Sequence, residues 1–441
     1  MAGEWKPLRL GSVCTKIGSG ATPRGGGDVY MDAGPYALIR SQNVYNNGFH
    51  REGLAYIGER HAAELANVEV LKGDVLLNIT GDSVARACQV DPGVLPARVN
   101  QHVAIIRPEP ATLDPRFLRY FLVSPEMQSK LLSWAGSGGT RNALTKGMIE
   151  SFDVPAPEGV EEQRAIAHIL GTLDDKIELN RRMSETLEGM ARSLFQSWFV
   201  DFDPVRAKAE GRDPGLPKAI ADLFPNRFAD SELGEIPGGW DVGRFADVVE
   251  HRRNPENPLE SPDALFQHFS IPAFDDGRCP KIERGEDIRS LKSRVPPGSI
   301  LLSKLNPEIE RVWLADVGGD DRAVCSTEFL VLLPRPPITR AYVYCLARSP
   351  VFRQKIEGLV TGTSKSHQRA HAEAILDLEV LRPPAPVANA FDKIALVLLG
   401  RTLGYRCESR MLAALRDTLL PKLISGELRL SDVERLLEAA P

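Results

Sequence analysis

The chain of 441 residues is 43% hydrophobic and 26% charged, which excludes a disordered or fibrous polypeptide and is too long for one ordinary core. Its formal charge of −5 argues against a surface that is basic throughout, although Glu158 to Glu188, with eight acidic and four basic residues, carries −4 of it. The opening MAGEWKPLRLG has no apolar stretch behind a basic one, and no apolar run approaches the roughly 20 residues that span a bilayer, so a cytoplasmic chain without leader or membrane span is expected.

Residues 1–157 read as an α+β domain. Strands are expected in YALIRSQNV (36–44), DVLLNIT (74–80), ARACQV (85–90) and NQHVAIIRP (100–108), rich in Val and Ile between Pro, Gly and Asp. A helix or two follows at 115–134. Pro155 and Pro157 forbid helix before residue 158, and Glu161-Glu162 suit the positive end of a helix that begins there. Over 158–204 the residues Leu170, Leu173, Ile177, Asn180, Ser184, Leu187, Ala191, Leu194 and Trp198 alternate three and four apart, a coiled-coil seam. Within it, Asn180 and Ser184 are polar: they either select register or open the seam toward a partner. The cluster Leu194, Phe195, Trp198, Phe199 is either core or a docking patch. Residues 205–238, rich in Pro, Gly and charge, read as a linker.

The second half repeats the first. Domain 239–383 opens on Trp240 as the first opens on Trp5, SILLSKL (299–305) answers DVLLNIT, and Ser349-Pro350 follows Ser124-Pro125 at a distance of 225 residues. Shifted by the same 225, the seam becomes Ala395, Leu398, Thr402, Tyr405, Ser409, Leu412, Arg416, Leu419 and Leu423 in a second helix over 384–430, before a tail at 431–441. Arg416 is a poor seam residue, with Leu415 the alternative. The six scattered cysteines form no CxxC or Cys/His cluster and are expected as buried apolar residues.

The fold expected is therefore α+β: two similar domains, each followed by a long helix, the helices pairing as an antiparallel coiled coil with pseudo-two-fold symmetry. A helix of about 40 residues measures roughly 60 Å, or about 15 base pairs of B-DNA. Such an object suits a reader of two separated DNA elements, and equally a scaffold, touching no DNA, that organises two identical protein partners. Enzyme signatures fail: Asn306-Pro307-Glu308-Ile309 departs from the amino-methyltransferase motif, no GxxxxGK[ST] loop occurs, and His367 and His371 lack a metalloprotease context.

The run EEQRAIAHILGTLDDKIELNRRMSETLEGMARSLFQSWFVDF (161–202) resembles the central conserved region of type I restriction–modification specificity subunits. LRDTLLPKLISGELRL (415–430) resembles their C-terminal conserved region, and IGSGATP, LIRSQNV, GDVLLNITG and FLVSPEMQSKL stand at the family's places in the first half. The resemblance implies two target recognition domains reading a split sequence in double-stranded DNA. It implies helices that dock two adenine methyltransferase subunits, and two motor-nuclease subunits joining for restriction. This chain would be non-catalytic, with no metal or cofactor, S-adenosylmethionine and ATP/Mg belonging to the partners. The glycine-threonine-proline turn has no clear counterpart in HRRNPENP (251–258) of the second half.

Base edges call for Arg, Lys, Asn or Gln, and phosphates for Lys, Arg, Ser, Thr or backbone amides. The candidates in the first half are Thr22, Arg24, Arg40, Ser41, Asn43, Asn78, Thr80, Arg86, Thr140, Arg141 and Asn142. In the second half they are Lys304, Asn306, Thr361, Thr363, Lys365, Ser366, His367 and Arg369. The loops 140–142 and 361–369 occupy the same repeat position and are glycine-rich, hydroxyl-rich and basic.

Overall fold

A computed structural model describes residues 5–136, 143–318, 322–360 and 368–430. The chain divides into two compact units, the first comprising residues 1–178 and 411–441 and the second 179–410.

In the first unit a four-stranded antiparallel sheet runs in the order Cys14–Ser19, Val103–Pro108, Val75–Asn78, Ala87–Gln89. A second sheet has the order Ala55–Ile57, Tyr36–Ile39, Ala97–Val99, Glu69–Val70, with a parallel central pair. The central strands of the first sheet are buried on both faces, which is why they read as unbroken apolar runs rather than alternating ones. Val75, Leu77, Ala104 and Ile106 face the helices, whereas Leu76, Val103 and Ile105 face the second sheet. Lys6–Arg9 pairs with Asp153–Ala156 as a separate ribbon.

The second unit repeats this plan. Its sheet Val249–Arg252, Phe329–Pro334, Ile300–Ser303, Val312–Leu314 has the same strand order and sense. Ile300, Leu302, Leu330 and Leu332 face the helical core, and Leu301, Phe329 and Val331 face the other way. The expected helices appear as Pro115–Val123 and Pro125–Gly136 in one unit, Arg340–Arg348 and Pro350–Glu357 in the other. Asp114 caps the first of these, its carboxylate accepting from the N–H groups of Arg116 and Phe117.

The long helices are Val160–Phe199 and Ala385–Ile424, each of 40 residues and 225 apart throughout. The fully buried Gln163 anchors the start of the first: its amide accepts from Asp114 N and donates to the carbonyls of Thr112 and Pro157. The helices run antiparallel within each unit. In the first unit Glu162 meets Arg429 and Asp174 meets Arg416. In the second Asn180 meets Glu408, Glu188 meets Arg406 and Phe195 meets Phe391. Leu170, Asn180, Leu423 and Thr402 are buried, while Leu173, Ile177, Leu187, Leu194, Leu398, Leu412 and Leu419 are half-buried in the seam. Arg416 keeps its seam place, drawn in by Asp174, and Leu415 is 47% exposed, so the expected alternative is corrected. Asn180 donates to Glu408 across the pair, and Ser184 donates back to the carbonyl of Asn180. Phe195, Trp198 and Phe199 form core in the second unit, against Phe391, Tyr342 and Trp240.

The segment expected as a linker is folded instead. It carries helices Asp203–Ala209 and Lys218–Ala221 and the hairpin Phe228–Ser231/Gly234–Pro237, with Val205, Phe224 and Ile236 buried in the core of the second unit. These apolar residues are spaced too widely among Pro, Gly and charge to register as periodicity. Among the cysteines, Cys88, Cys325 and Cys345 are buried as expected, but Cys407 is exposed. Among the described residues, no helix is long and apolar enough to cross a membrane.

Candidate nucleic-acid interface

In the second unit three strand ends and one loop converge on a cleft of about 590 Å³ lined by His251, Arg252, Arg253, Lys292, Lys304, Arg369 and His371, with Glu328 and Glu373. The Arg-Arg pair stands at the end of Val249–Arg252, the edge strand, and Lys304 directly follows the central strand Ile300–Ser303. Arg369 is brought to Lys304 by an isolated bridge between Leu305 and Arg369, with Ala370 N donating to the Lys304 carbonyl. Arg369 also pairs with Glu328 at 2.7 Å and Arg253 with Glu373. Five Arg or Lys against two Glu leave the cleft positive. Its field is visible at His251, where burial, with the Arg253 and Lys304 cations beside it, pushes the imidazole below its ordinary 6.5 despite Glu373. Burial likewise lowers the Lys292 ammonium, so both groups gain from an incoming anion.

The first unit presents the corresponding strand ends with hydroxyls and amides in place of most of the charge. Gly20 lets the turn after Cys14–Ser19 close on the 99–101 turn: a Cβ there would lie 2.0 Å from the Val99 carbonyl oxygen. Thr22 then hydrogen-bonds Gln101, the Gln101 amide meets His102 Nε2 at 3.0 Å, and His102 Nδ1 shares a 2.6 Å bond with Thr80. Thr80 forms an isolated bridge with Ala143, the counterpart of the Leu305–Arg369 bridge in the second unit. Arg24, two residues after Thr22, is exposed.

The structure thus brings Thr22 and Thr80 together with Gln101 and His102, and Lys304 and Arg369 together with the 251–253 run. Arg40 and Arg86 stand elsewhere: Arg40 donates to the Gly53 carbonyl, and Arg86 lies 4.6 Å over the Tyr45 ring. Asn43 and Asn78 are corrected as candidates. Both are fully buried; Asn43 binds backbone at Arg40, His50 and Glu52, and Asn78 donates to the carbonyl of Ser41. Ser41 contributes that carbonyl from the loop interior. Asn306 is held at a positive φ of 47°, its N–H donating to Gln368 O, and it shapes the loop rather than facing out. Thr140, Arg141, Asn142, Thr361, Thr363, Lys365, Ser366 and His367 lie outside the described residues. Sequence reasoning missed Arg252, Arg253 and Lys292; the basic run at a strand end was the available signal, obscured by the departure from the turn motif.

The family model described as the type I restriction modification DNA specificity domain matches residues 2–189. The type I restriction enzyme HindI specificity subunit of Haemophilus influenzae is 24% identical over 96% of this chain and 100% of its own length. The MjaIX specificity subunit of Methanocaldococcus jannaschii is 25% identical over 98% and 95%. The crystal structure of a type I restriction-modification S subunit from M. genitalium shares the fold with a TM-score of 0.60, at 13% identity over 95% of this chain and 96% of that one. Domain model, full-length relatives and fold coincide with the duplicated plan of domain and helix: over nearly its whole length the chain is similar to type I restriction–modification specificity subunits.

Proposed function

We propose that this chain is the DNA-reading subunit of a type I restriction–modification complex, each unit reading one part of a split target. The observation that carries the reading is the repeated geometry of the interface. In both units the second residue beyond a central strand, Thr80 or Leu305, forms an isolated bridge with a residue after the domain helices, Ala143 or Arg369, and in both the surrounding strand ends carry donors suited to phosphates and base edges. The second unit offers mainly cations and the first mainly hydroxyls and amides, so the two halves of the target meet different chemistry.

Specificity subunits are non-catalytic parts of such systems. In the proposed complex two methyltransferase subunits supply adenine methylation with S-adenosylmethionine, and two motor-nuclease subunits supply cleavage with ATP and Mg. The exposed stripe Leu179, Met183 and Met190 on the first long helix is the apolar surface of the second unit best placed for a methyltransferase subunit. The test is an electrophoretic shift with and without the purified methyltransferase subunit, beside methylation profiling of host DNA. Sequence-selective retardation in the mixture and a split motif with methylated adenines support the reading; a mixture that retards every duplex equally overturns it.

A further inference from the structure

Two ion clusters, buried or half-buried, lie against the long helices, one in each unit. Asp174 accepts from Arg119 at 2.8 Å, from the Tyr120 hydroxyl at 2.7 Å and from Arg416 at 2.8 Å. Glu188 accepts from Arg348 at 2.9 Å, Arg406 at 2.6 Å, Arg278 at 3.2 Å and the Tyr344 hydroxyl at 3.3 Å. Each carboxylate stands on the first long helix, each is bound by one arginine of the second long helix, and each is bound by an arginine and a tyrosine of a domain helix. The duplication did not copy them: 225 residues beyond Asp174 and Glu188 stand Leu399 and Ala413. The same three-way tie is built twice from different positions.

From each tie a chain of bonds runs on into its domain, in the first unit to the edge strand that follows Arg86, beside the central strand leading to Thr80, and in the second to the loop that follows Lys304. Arg119 donates through its other amino group to the Asn46 carbonyl at 2.7 Å. The Asn46 side chain accepts from Ala87 N, and Tyr45 beside it lies under the Arg86 guanidinium. Arg348 donates to Glu310 at 2.5 Å, in the loop that leads from Lys304, and Arg353 holds that loop by the carbonyls of Pro307 and Glu308. We propose, resting on the DNA-reading function above, that Asp174 and Glu188 are positioning residues for sequence recognition, each fixing the orientation of one set of reading loops on its helix pair. Apolar contacts tolerate sliding, whereas a carboxylate with three or four donors from separate elements admits one arrangement. Base discrimination depends on such registration, because bidentate contacts fail when the loops shift or tilt.

The experiment uses full-length chain assembled with its methyltransferase subunit, on the target found by methylation profiling and on duplexes with one mismatch in either half. Asp174→Asn is expected to lower mismatch discrimination about tenfold in one half of the target while leaving the other half at the wild-type level. Glu188→Gln is expected to do the same in the opposite half. A merely structural loss weakens both halves together. Arg119→Gln removes the domain's own arm while Asp174 keeps Arg416, and serves should Asp174→Asn fail to assemble; it too is expected to blur that one half. Wild-type discrimination in any assembled variant, or equal loss in both halves, overturns the proposal. A wild-type complex that discriminates no sequence overturns the DNA-reading function instead.

Discussion

Lys304 and Arg252 follow or end two strands that flank Phe329–Pro334, and both line the cleft, where Arg252 pairs with the half-buried Glu250 at 3.0 Å. Each phosphate neutralised contributes close to one unit to the slope of log affinity against log salt. Lys304→Ala and Arg252→Ala are therefore expected each to weaken binding of the complex and to reduce that slope by about one, in a titration of salt. An unchanged slope removes the phosphate role. His251 adds a pH signature. In the free protein burial and the Arg253 and Lys304 cations lower its pKa below the ordinary 6.5, and a bound phosphate favours the imidazolium, so its pKa is higher in the complex than outside it. Affinity is expected to rise as pH falls through the pKa of the complex, and to level off below that of the free protein. Competition binding from about pH 8 to about pH 5.5 checks this, with His251→Gln expected to flatten the response. These residues also mark the limit of reading by type. Asn is chosen for adenine edges and for capping loops alike, and only burial separates Asn43 and Asn78 from a DNA contact.

At the level of elements, the helices and central strands were legible because each has one dominant requirement. The seam spacing repeats from residue 170 to 198 and from 395 to 423 inside the two 40-residue helices, and the doubly buried strands are apolar without interruption. The fold of 205–238 was not legible, since its short pieces draw stability from Trp240, Phe202 and Phe199 of neighbouring segments rather than from their own pattern. Trp198, fully buried against Phe224 and Phe391, ties the first long helix to that segment. Trp198→Ala is expected to cost about 3–5 kcal/mol, read as a lowered denaturant midpoint. Glu188 supplies an acid signature. Burial pushes its carboxyl up, but Arg348, Arg406 and Arg278 outweigh this and hold it down at about 2 against an ordinary 4.5. The folded form therefore gains stability that is complete above about 4.5 and lost as pH falls toward about 2. Thermal melting across that window is expected to fall more steeply for the native chain than for Glu188→Gln.

On the scale of the molecule, the net charge of −5 hid a basic cleft, because acidic residues are concentrated in the first long helix and its approach. The duplication was legible from the sequence, and the division of labour between the two interfaces was not, since it depends on which strand ends converge. The first unit is discontinuous: Leu420, Leu423 and Ile424 belong to the same core as Leu170, Phe117 and Val75. A chain ended after residue 405 is expected to lose that closure and to melt earlier in the segment 1–178, as hydrogen exchange of Val75–Asn78 relative to Ile300–Ser303 checks.

Gly426 gives that arrangement its final latch. It turns the chain at a φ of 74° directly against Trp5, where a side chain would strike the indole at 2.9 Å. A polypeptide emerging from the ribosome thus carries its earliest aromatic anchor unfinished for more than four hundred further additions. Translation that stalls partway leaves an open first module, a form suited to chaperones and proteases.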